Sequence, residues 1–195
     1  SAASDVYKRQ IMPRKVSVTK QMIENVSIDM IKNGEPLNAR AIAKHLDCSI
    51  QPIFYNFATM DDLKEAVNKR ILKIFEKYID DHANSDRYPP FKAIGFAYIG
   101  FAKDYPEYFK LLFMDERGAS VMSMAGSTQR MMTDILVKTL GCNKQTAMLI
   151  QTEMWVFVHG FATMIATKYI QWDEQSVSEM LTDVFEGLKL KLNLK

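Results

Sequence analysis

Apolar residues recur every three or four positions along most of the chain, which is the spacing of helices that bury one face. Glycine and proline are few, and runs of β-branched residues are short. The pattern predicts an all-α fold of about nine helices: three short ones, a long connecting helix and five in the C-terminal part. The predicted helices cover about residues 19–32, 39–46, 50–57, 61–83, 91–105, 107–114, 121–140, 143–170 and 176–192.

Residues that favour helix starts precede several of these segments. Serine, threonine and asparagine side chains accept hydrogen bonds from the free N–H groups of a first turn, and a carboxylate three residues later completes a capping box. The predicted caps are Thr19, Asn38, Ser49 and Asn143, and the predicted capping boxes pair Thr59 with Asp62 and Ser176 with Glu179.

Residues 38–57 predict two short helices joined by a tight turn. Ile42 and Leu46 lie on one face of the first helix, and Ala43 keeps the neighbouring face small enough for close helix packing. Asp47 opens the turn, where an aspartate tolerates a left-handed backbone better than most residues. The segment is therefore predicted to be a helix-turn-helix.

The second helix of this pair is predicted to have a buried face and an exposed face. Pro52 fits its first turn, where a missing N–H costs nothing, and Ile53 and Phe57 point inward. A short helix with an exposed polar and aromatic face is the shape that enters a DNA major groove. The residues predicted to face outward are Ile50, Gln51, Tyr55 and Asn56.

Two separate regions resemble one protein family. Residues 49–57 (SIQPIFYNF) followed by 59–63 (TMDDL) are similar to the N-terminal domain of the TetR-type repressors. Residues 155–160 (WVFVHG), after 98–113 (YIGFAKDYPEYFKLLF), resemble the C-terminal domain of a TetR subgroup named for its Trp and His-Gly. The resemblance implies an N-terminal three-helix helix-turn-helix domain and a larger helical domain that binds an effector and dimerises.

The expected organisation divides the chain into four parts. Residues 5–10 (DVYKRQ) resemble the translation of a sequencing-library adapter end, so we expect residues 1–11 to be a non-native leader and the natural start to be Met12; an ordinary disordered leader is the alternative. A DNA-binding domain is expected over 12–60, a connecting helix over 61–84, and the effector-binding and dimerisation domain over 85–195.

Several residues on or near the second short helix are candidate DNA contacts. The Gln51 amide can pair with an adenine edge, although a solvated glutamine is an equal alternative. The resemblance suggests that Tyr55 and Asn56 contact phosphates or bases, and Arg40 and Lys20 would lie near the DNA backbone unless they belong to solvated faces. The candidates are Lys20, Arg40, Ser49, Ile50, Gln51, Pro52, Phe54, Tyr55 and Asn56.

The chain departs from the family pattern at three of its positions. Phe54 stands where tyrosine is commonest, Met60 where a phosphate-binding lysine is frequent, and Asp47 where glycine is frequent. Loss of two phosphate contacts predicts weaker non-specific DNA binding and a shallower dependence of affinity on salt.

The C-terminal part is rich in aromatic residues and methionine. Methionine adapts to irregular shapes, and the resemblance implies an effector pocket there; ordinary core packing is the alternative for each residue. His159 either binds a polar group of the effector or is a buried histidine satisfied by backbone. The candidate residues for a small hydrophobic effector are Phe101, Phe109, Phe113, Met132, Trp155 and His159, within a larger group that includes Phe96, Met122, Met124, Met131, Phe161 and Met164.

The last two long helices are candidates for a homodimer interface. The segment 143–170 is apolar nearly all round at its centre, and 176–192 has a broad apolar stripe. Pairing with a second copy would form a four-helix interface, as the resemblance also implies, and burial within one chain is the alternative. A dimer would place two DNA-reading helices about one DNA turn, ~34–36 Å, or a multiple of it apart, which suits a palindromic operator.

Composition and charge exclude some classes of protein. The net charge of +2 does not by itself identify a DNA-binding protein, and the apolar run 154–166 is too short to span a membrane. Cys48 and Cys142 lack metal-ligand spacing. They are expected to be free thiols in a reducing compartment, so we expect a cytoplasmic protein. No sequence motif indicates a catalytic, metal or cofactor site, so we expect that the protein is not an enzyme.

The favoured hypothesis is a ligand-responsive dimeric repressor that a small apolar effector releases from its operator. An interaction protein of the same fold that has lost DNA binding is the alternative, to which Phe54 and Met60 lend some support. A helical enzyme would need a constellation of residues that the sequence does not reveal.

Overall fold

The computed structural model describes residues 17–83, 87–114, 126–171 and 173–194. Within these ranges the fold is all-α, as predicted, and contains nine helices. They are α1 (Lys20–Lys32), α2 (Ala39–His45), α3 (Gln51–Asn56), α4 (Met60–Ala83), α5 (Pro90–Asp104), α6 (Pro106–Phe113), α7 (Gly126–Leu140), α8 (Lys144–Ala166) and α9 (Glu174–Lys191).

Most predicted caps are confirmed. The Thr19 hydroxyl accepts from the Met22 N–H at 3.2 Å, and the side-chain oxygens of Asn38 and Asn143 each accept an N–H three residues later at 2.9 Å. Thr59 and Asp62 form the predicted reciprocal box at the start of α4, with N···O distances of 2.9 and 3.1 Å. These ends are therefore specified by local sequence.

Two predicted caps are wrong. Ile50, in helical conformation, precedes α3 as its N-cap, and no side chain caps that helix, so Ser49 is not the cap. Helix α9 begins two residues before Ser176, because the Asp173 carboxylate accepts from the Ser176 N–H at 2.9 Å. Glu179 instead accepts a hydrogen bond from Gln175.

Helix α8 ends earlier than predicted. It stops at Ala166 rather than near Ile170, and Lys168 follows in a left-handed conformation with φ 59°. Of the predicted segment 121–140, residues 121–125, which include Met122 and Met124, lie outside the described residues.

Helices α1, α2 and α3 form one packed group, which we call the head (20–56). Ile23, Ile42 and Ile53 are fully buried at its centre, and Phe57 closes it. Helix α4 leaves the head and packs along α5. Helices α5 to α9 form a second group, which we call the body (90–191). Within it, α5 and α8 pack most extensively against each other.

No helix in the described part of the chain is long and apolar enough to cross a membrane. Among the same residues, no group of three or more His, Cys, Asp or Glu side chains is arranged to hold a metal ion.

Candidate functional site

Helix α3 is held against the head by its inner face and by one amide. Ile53 is fully buried and Phe57 nearly so. The Asn56 Nδ2 donates to the Pro52 carbonyl at 2.8 Å and to the Val18 carbonyl, just before α1, at 3.2 Å. Because a half-buried amide with two short bonds has little freedom, α3 is fixed at its C-terminal end.

This arrangement corrects the prediction for Asn56. The side chain does not project from the outward face; it is half-buried and ties α3 to the chain entering α1. An Nδ2 that donates to two backbone carbonyls has no proton left for DNA. Asn56 therefore anchors α3 to the chain that enters α1.

The outward face of α3 is aromatic and apolar. Tyr55 is 91% exposed, while Ile50 and Phe54 are 45% and 44% exposed. Gln51 and Ser49 are also exposed, and Pro52 is half-buried. Large apolar side chains left in water on so short a helix have no role in the core of the chain, which is typical of a surface that meets a partner.

Basic side chains lie on neighbouring parts of the head. Lys20, at the first position of α1, places its ammonium 4.9 Å from the centre of the Phe57 ring, next to the end of α3. Arg40 and Lys44 are exposed on α2. The turn into α3 passes through Asp47 at φ 47°, the left-handed conformation that was predicted. The candidate residues are therefore exposed, except for Pro52 and Asn56, which are half-buried.

A second cluster lies in the body, around His159. Its Nδ1 forms a 2.9 Å hydrogen bond with the Tyr98 hydroxyl. Trp155 stacks on the His159 ring with centroids 5.0 Å apart, and the Phe109 ring lies 5.9 Å from it. Phe113 packs on Phe109 at 5.1 Å. Four of the six predicted effector residues are therefore brought together.

His159 is satisfied by a side chain, whereas a backbone partner was the expected alternative. Burial lowers its pKa below the usual 6.5, so the ring is neutral at pH 7. A neutral imidazole bound at Nδ1 keeps Nε2 as its second hydrogen-bonding atom.

The other predicted effector residues lie elsewhere. Phe101 is fully buried between α4 and α5, where it meets the edges of Phe75 and Tyr78 at 5.1 and 5.5 Å. Met132 is half-buried at the edge of the core. Met131 and Met164, from the larger group, are exposed, so they do not join the soft interior that the sequence suggested.

Two members of the aromatic cluster around His159 were not predicted from the sequence. Tyr98 is buried and bonds to His159, and Phe75 from α4 meets Tyr98 and Phe113 at centroid distances of 5.8 and 5.1 Å. The available signal for Phe75 was the four-residue spacing from Ile71 through Phe75 to Ile79, all three of which are buried.

One tyrosine of α4 forms a hydrogen bond with α5. The Tyr78 hydroxyl donates to Asp104 at 2.7 Å, and its ring stacks on His82 with centroids 3.9 Å apart. Burial, and then the bond to Asp104, raise the pKa of Tyr78 above its usual range. The hydroxyl passes so close to Gly100 that a Cβ there would lie 2.9 Å from it.

Outer faces of α8 and α9 carry exposed apolar side chains. Leu149 and Val156, seven residues apart, share a face of α8, and Val156 is 60% exposed. Leu190 on α9 is 76% exposed. A Cβ added at Gly160 or Gly187 would meet nothing within 4 Å, so both glycines also lie open.

Comparison with family models found a match over half of the chain. A family model described as the tetracyclin repressor-like C-terminal domain matches residues 91–188. No curated protein sequence matches the chain.

Solved structures with the same fold are distant in sequence. A TetR-like transcriptional regulator from Rhodococcus sp. RHA1 is 17% identical with a TM-score of 0.61 over 89% of this chain and 96% of its own. The multidrug binding protein EbrR, complexed with imidazole, is 17% identical with a TM-score of 0.60 over 89% and 94%. A TetR family member from Streptomyces coelicolor A3 is 18% identical with a TM-score of 0.61 over 88% and 98%.

Proposed function

Because the chain belongs to the tetracyclin repressor-like (TetR) family, we propose that it is a DNA-binding transcriptional regulator: a homodimeric repressor that a small hydrophobic effector releases from a palindromic operator. The observation that carries the DNA-binding part is the exposed face of α3. Tyr55 stands almost fully in solvent on a helix whose other side is locked into the head. This exposure supports the proposal, because helix-turn-helix proteins insert a helix of this kind into the DNA major groove.

The first experiment is selection of bound fragments from genomic DNA by the purified protein at two salt concentrations. Recovery of one palindromic site, bound more weakly at the higher salt, is the expected result. Tyr55→Ala should abolish binding to that site. The matched control is Tyr169→Ala, which removes another exposed tyrosine, 80% exposed, beyond the end of α8.

Each outcome of this selection has a definite meaning. Equal affinity of the wild type and Tyr55→Ala would exclude α3 as the DNA-reading helix. Recovery of no fragment at either salt, from a protein that melts cooperatively, would favour the alternative: an interaction protein of this fold that has lost DNA binding.

The dimer is proposed to form through α8 and α9. Leu149, Val156 and Leu190 would be covered by the second copy, and the open glycines would allow close approach of its helices. Val156→Glu should give monomers by sedimentation equilibrium, because it places a charge in an apolar interface. Met131→Glu, at an exposed methionine on α7, should leave the dimer intact.

The effector is proposed to bind beside the His159 cluster. Trp155 and His159 are half-buried, so the stack they form lies at the edge of the core rather than inside it. EbrR, a structural neighbour, is described as complexed with ethidium, a planar aromatic compound. A panel of planar aromatic compounds should release the operator from wild type, and Trp155→Ala should change that response while leaving operator affinity unchanged.

A further inference from the structure

The outward face of α3 lacks the side chains that most often read guanine. Residues 49–57 contain neither arginine nor lysine, and the structure describes all of them. Guanine is usually recognised through its O6 and N7 acceptors by the paired donors of arginine or lysine. In this respect the face is poorly suited to G·C base pairs.

What the face does offer is apolar surface, the hydroxyl groups of Ser49 and Tyr55, and one amide with free donors. Ile50 and Phe54 are each nearly half exposed, and the methyl group of thymine is the one apolar feature of a base edge in the major groove. Of the two amides on α3, the Asn56 amide is bound to Pro52 and Val18, so Gln51 is the one free to pair with an adenine.

The charges around this face fit the flank of a duplex. Lys20, Arg40 and Lys44 are exposed on α1 and α2, and Asp47 is the only acidic residue between positions 36 and 58. Backbone phosphates can therefore be contacted by the neighbouring helices, while α3 itself brings no positive charge to the groove.

We propose that α3 reads A·T base pairs: Ile50 and Phe54 contact thymine methyl groups, and Gln51 pairs with an adenine. This inference rests on the proposed function, because it names the DNA that the same surface would select. Discrimination then comes from excluding water around methyl groups, and little of it from charged hydrogen bonds.

The test replaces thymine by uracil, which removes the methyl group and nothing else. Random-sequence duplexes are first selected with the wild-type protein to define the preferred half-site. Each thymine of that half-site is then replaced in turn, and dissociation constants are measured at one fixed salt concentration. A contacted methyl group should be worth about fourfold in affinity, the factor that corresponds to burying one methylene.

A double-mutant cycle assigns the contact to a residue. Phe54→Ala and Ile50→Ala alter exposed side chains, so both should fold, which melting curves check. Each variant should bind the thymine duplex more weakly and lose the uracil penalty at its own position, while keeping it at the other. Uracil placed outside the half-site is the matched control and should have no effect.

The outcomes separate the two proposals. A selected half-site of G·C pairs, or an A·T half-site that tolerates uracil at every position, would overturn the inference and leave DNA binding intact. Failure to select any duplex would overturn the proposed function and the inference with it.

Discussion

Replacing Gly100 by alanine tests how closely α4 and α5 must approach. The new Cβ would lie 2.9 Å from the Tyr78 hydroxyl, a distance that real Cβ contacts essentially never show. The tyrosine cannot move away freely, because its hydroxyl donates to Asp104 at 2.7 Å and its ring contacts both His82 and Phe101. An alanine at position 100 must therefore shift the Tyr78 ring or break its hydrogen bond to Asp104.

The expected cost follows from two opposing terms. Glycine to alanine inside a helix gains about 0.5–1 kcal/mol, whereas forcing extra volume into a packed contact costs about 1–3 kcal/mol. A net loss of about 1 kcal/mol would lower Tm by roughly 2–4 °C in a chain of this size. Gly95→Ala, in the same helix, is the matched control: its Cβ would lie 3.7 Å from Val158, an ordinary contact, so Tm should rise.

Removing the hydroxyl should remove the clash. In a Tyr78→Phe background the nearest ring carbons lie 3.7 and 3.8 Å from the Gly100 Cβ, so Gly100→Ala should then be neutral or stabilising. The assay is guanidinium unfolding of the four proteins of this cycle, with an expected coupling free energy of about 1–3 kcal/mol. The reasoning is refuted if Gly100→Ala matches Gly95→Ala while Tyr78 keeps its hydroxyl.

Three further outcomes are expected. Asp173→Ala should lower the midpoint of chemical unfolding, because it removes the cap of α9. Glu179→Ala should leave the midpoint nearly unchanged, and equal losses would contradict the cap assignment. Burial lowers the pKa of His159 below 6.5, so the unfolded chain takes up a proton first and stability should fall as pH drops below that value. His159→Gln should flatten this decline, and an unchanged profile would exclude the histidine as its source. Tyr108→Phe should cost about 1 kcal/mol because its hydroxyl donates to the Ile28 carbonyl at 3.3 Å; an unchanged Tm would show that this bond contributes nothing.

Local signals explain why much of the fold could be predicted. Thr19, Asn38 and Asn143 act on N–H groups three residues away, so each cap and its target lie in one short window of sequence. The same holds for the four-residue spacing that buries Ile53 and Phe57. Where two acceptors competed, as with Asp173 and Ser176, the residue type alone did not decide which of them began the helix.

The errors at the candidate sites arise from distant partners. Asn56 looked exposed on its own short helix, but its amide reaches Val18, 38 positions earlier. His159 bonds to Tyr98, 61 positions earlier. Helical spacing describes the faces of one helix at a time. It therefore does not predict which polar side chains will form hydrogen bonds between two packed helices. Exposure of Tyr55 was predictable because no neighbouring helix covers it.

Helix α1 of the head contacts both α4 and α6. Helix α1 is joined to α4 by the Arg70–Glu24 ion pair at 3.2 Å and to α6 by the bond from Tyr108. Helices α4 and α6 also contact each other directly, through the Phe75 and Phe113 rings at 5.1 Å, and Tyr78 of α4 binds Asp104 of α5. Because the Val18 carbonyl, next to α1, accepts a hydrogen bond from Asn56, the position of α3 depends on that of α1. In the proposed repressor, an effector that favours one position of α1 would therefore also favour one position of α3.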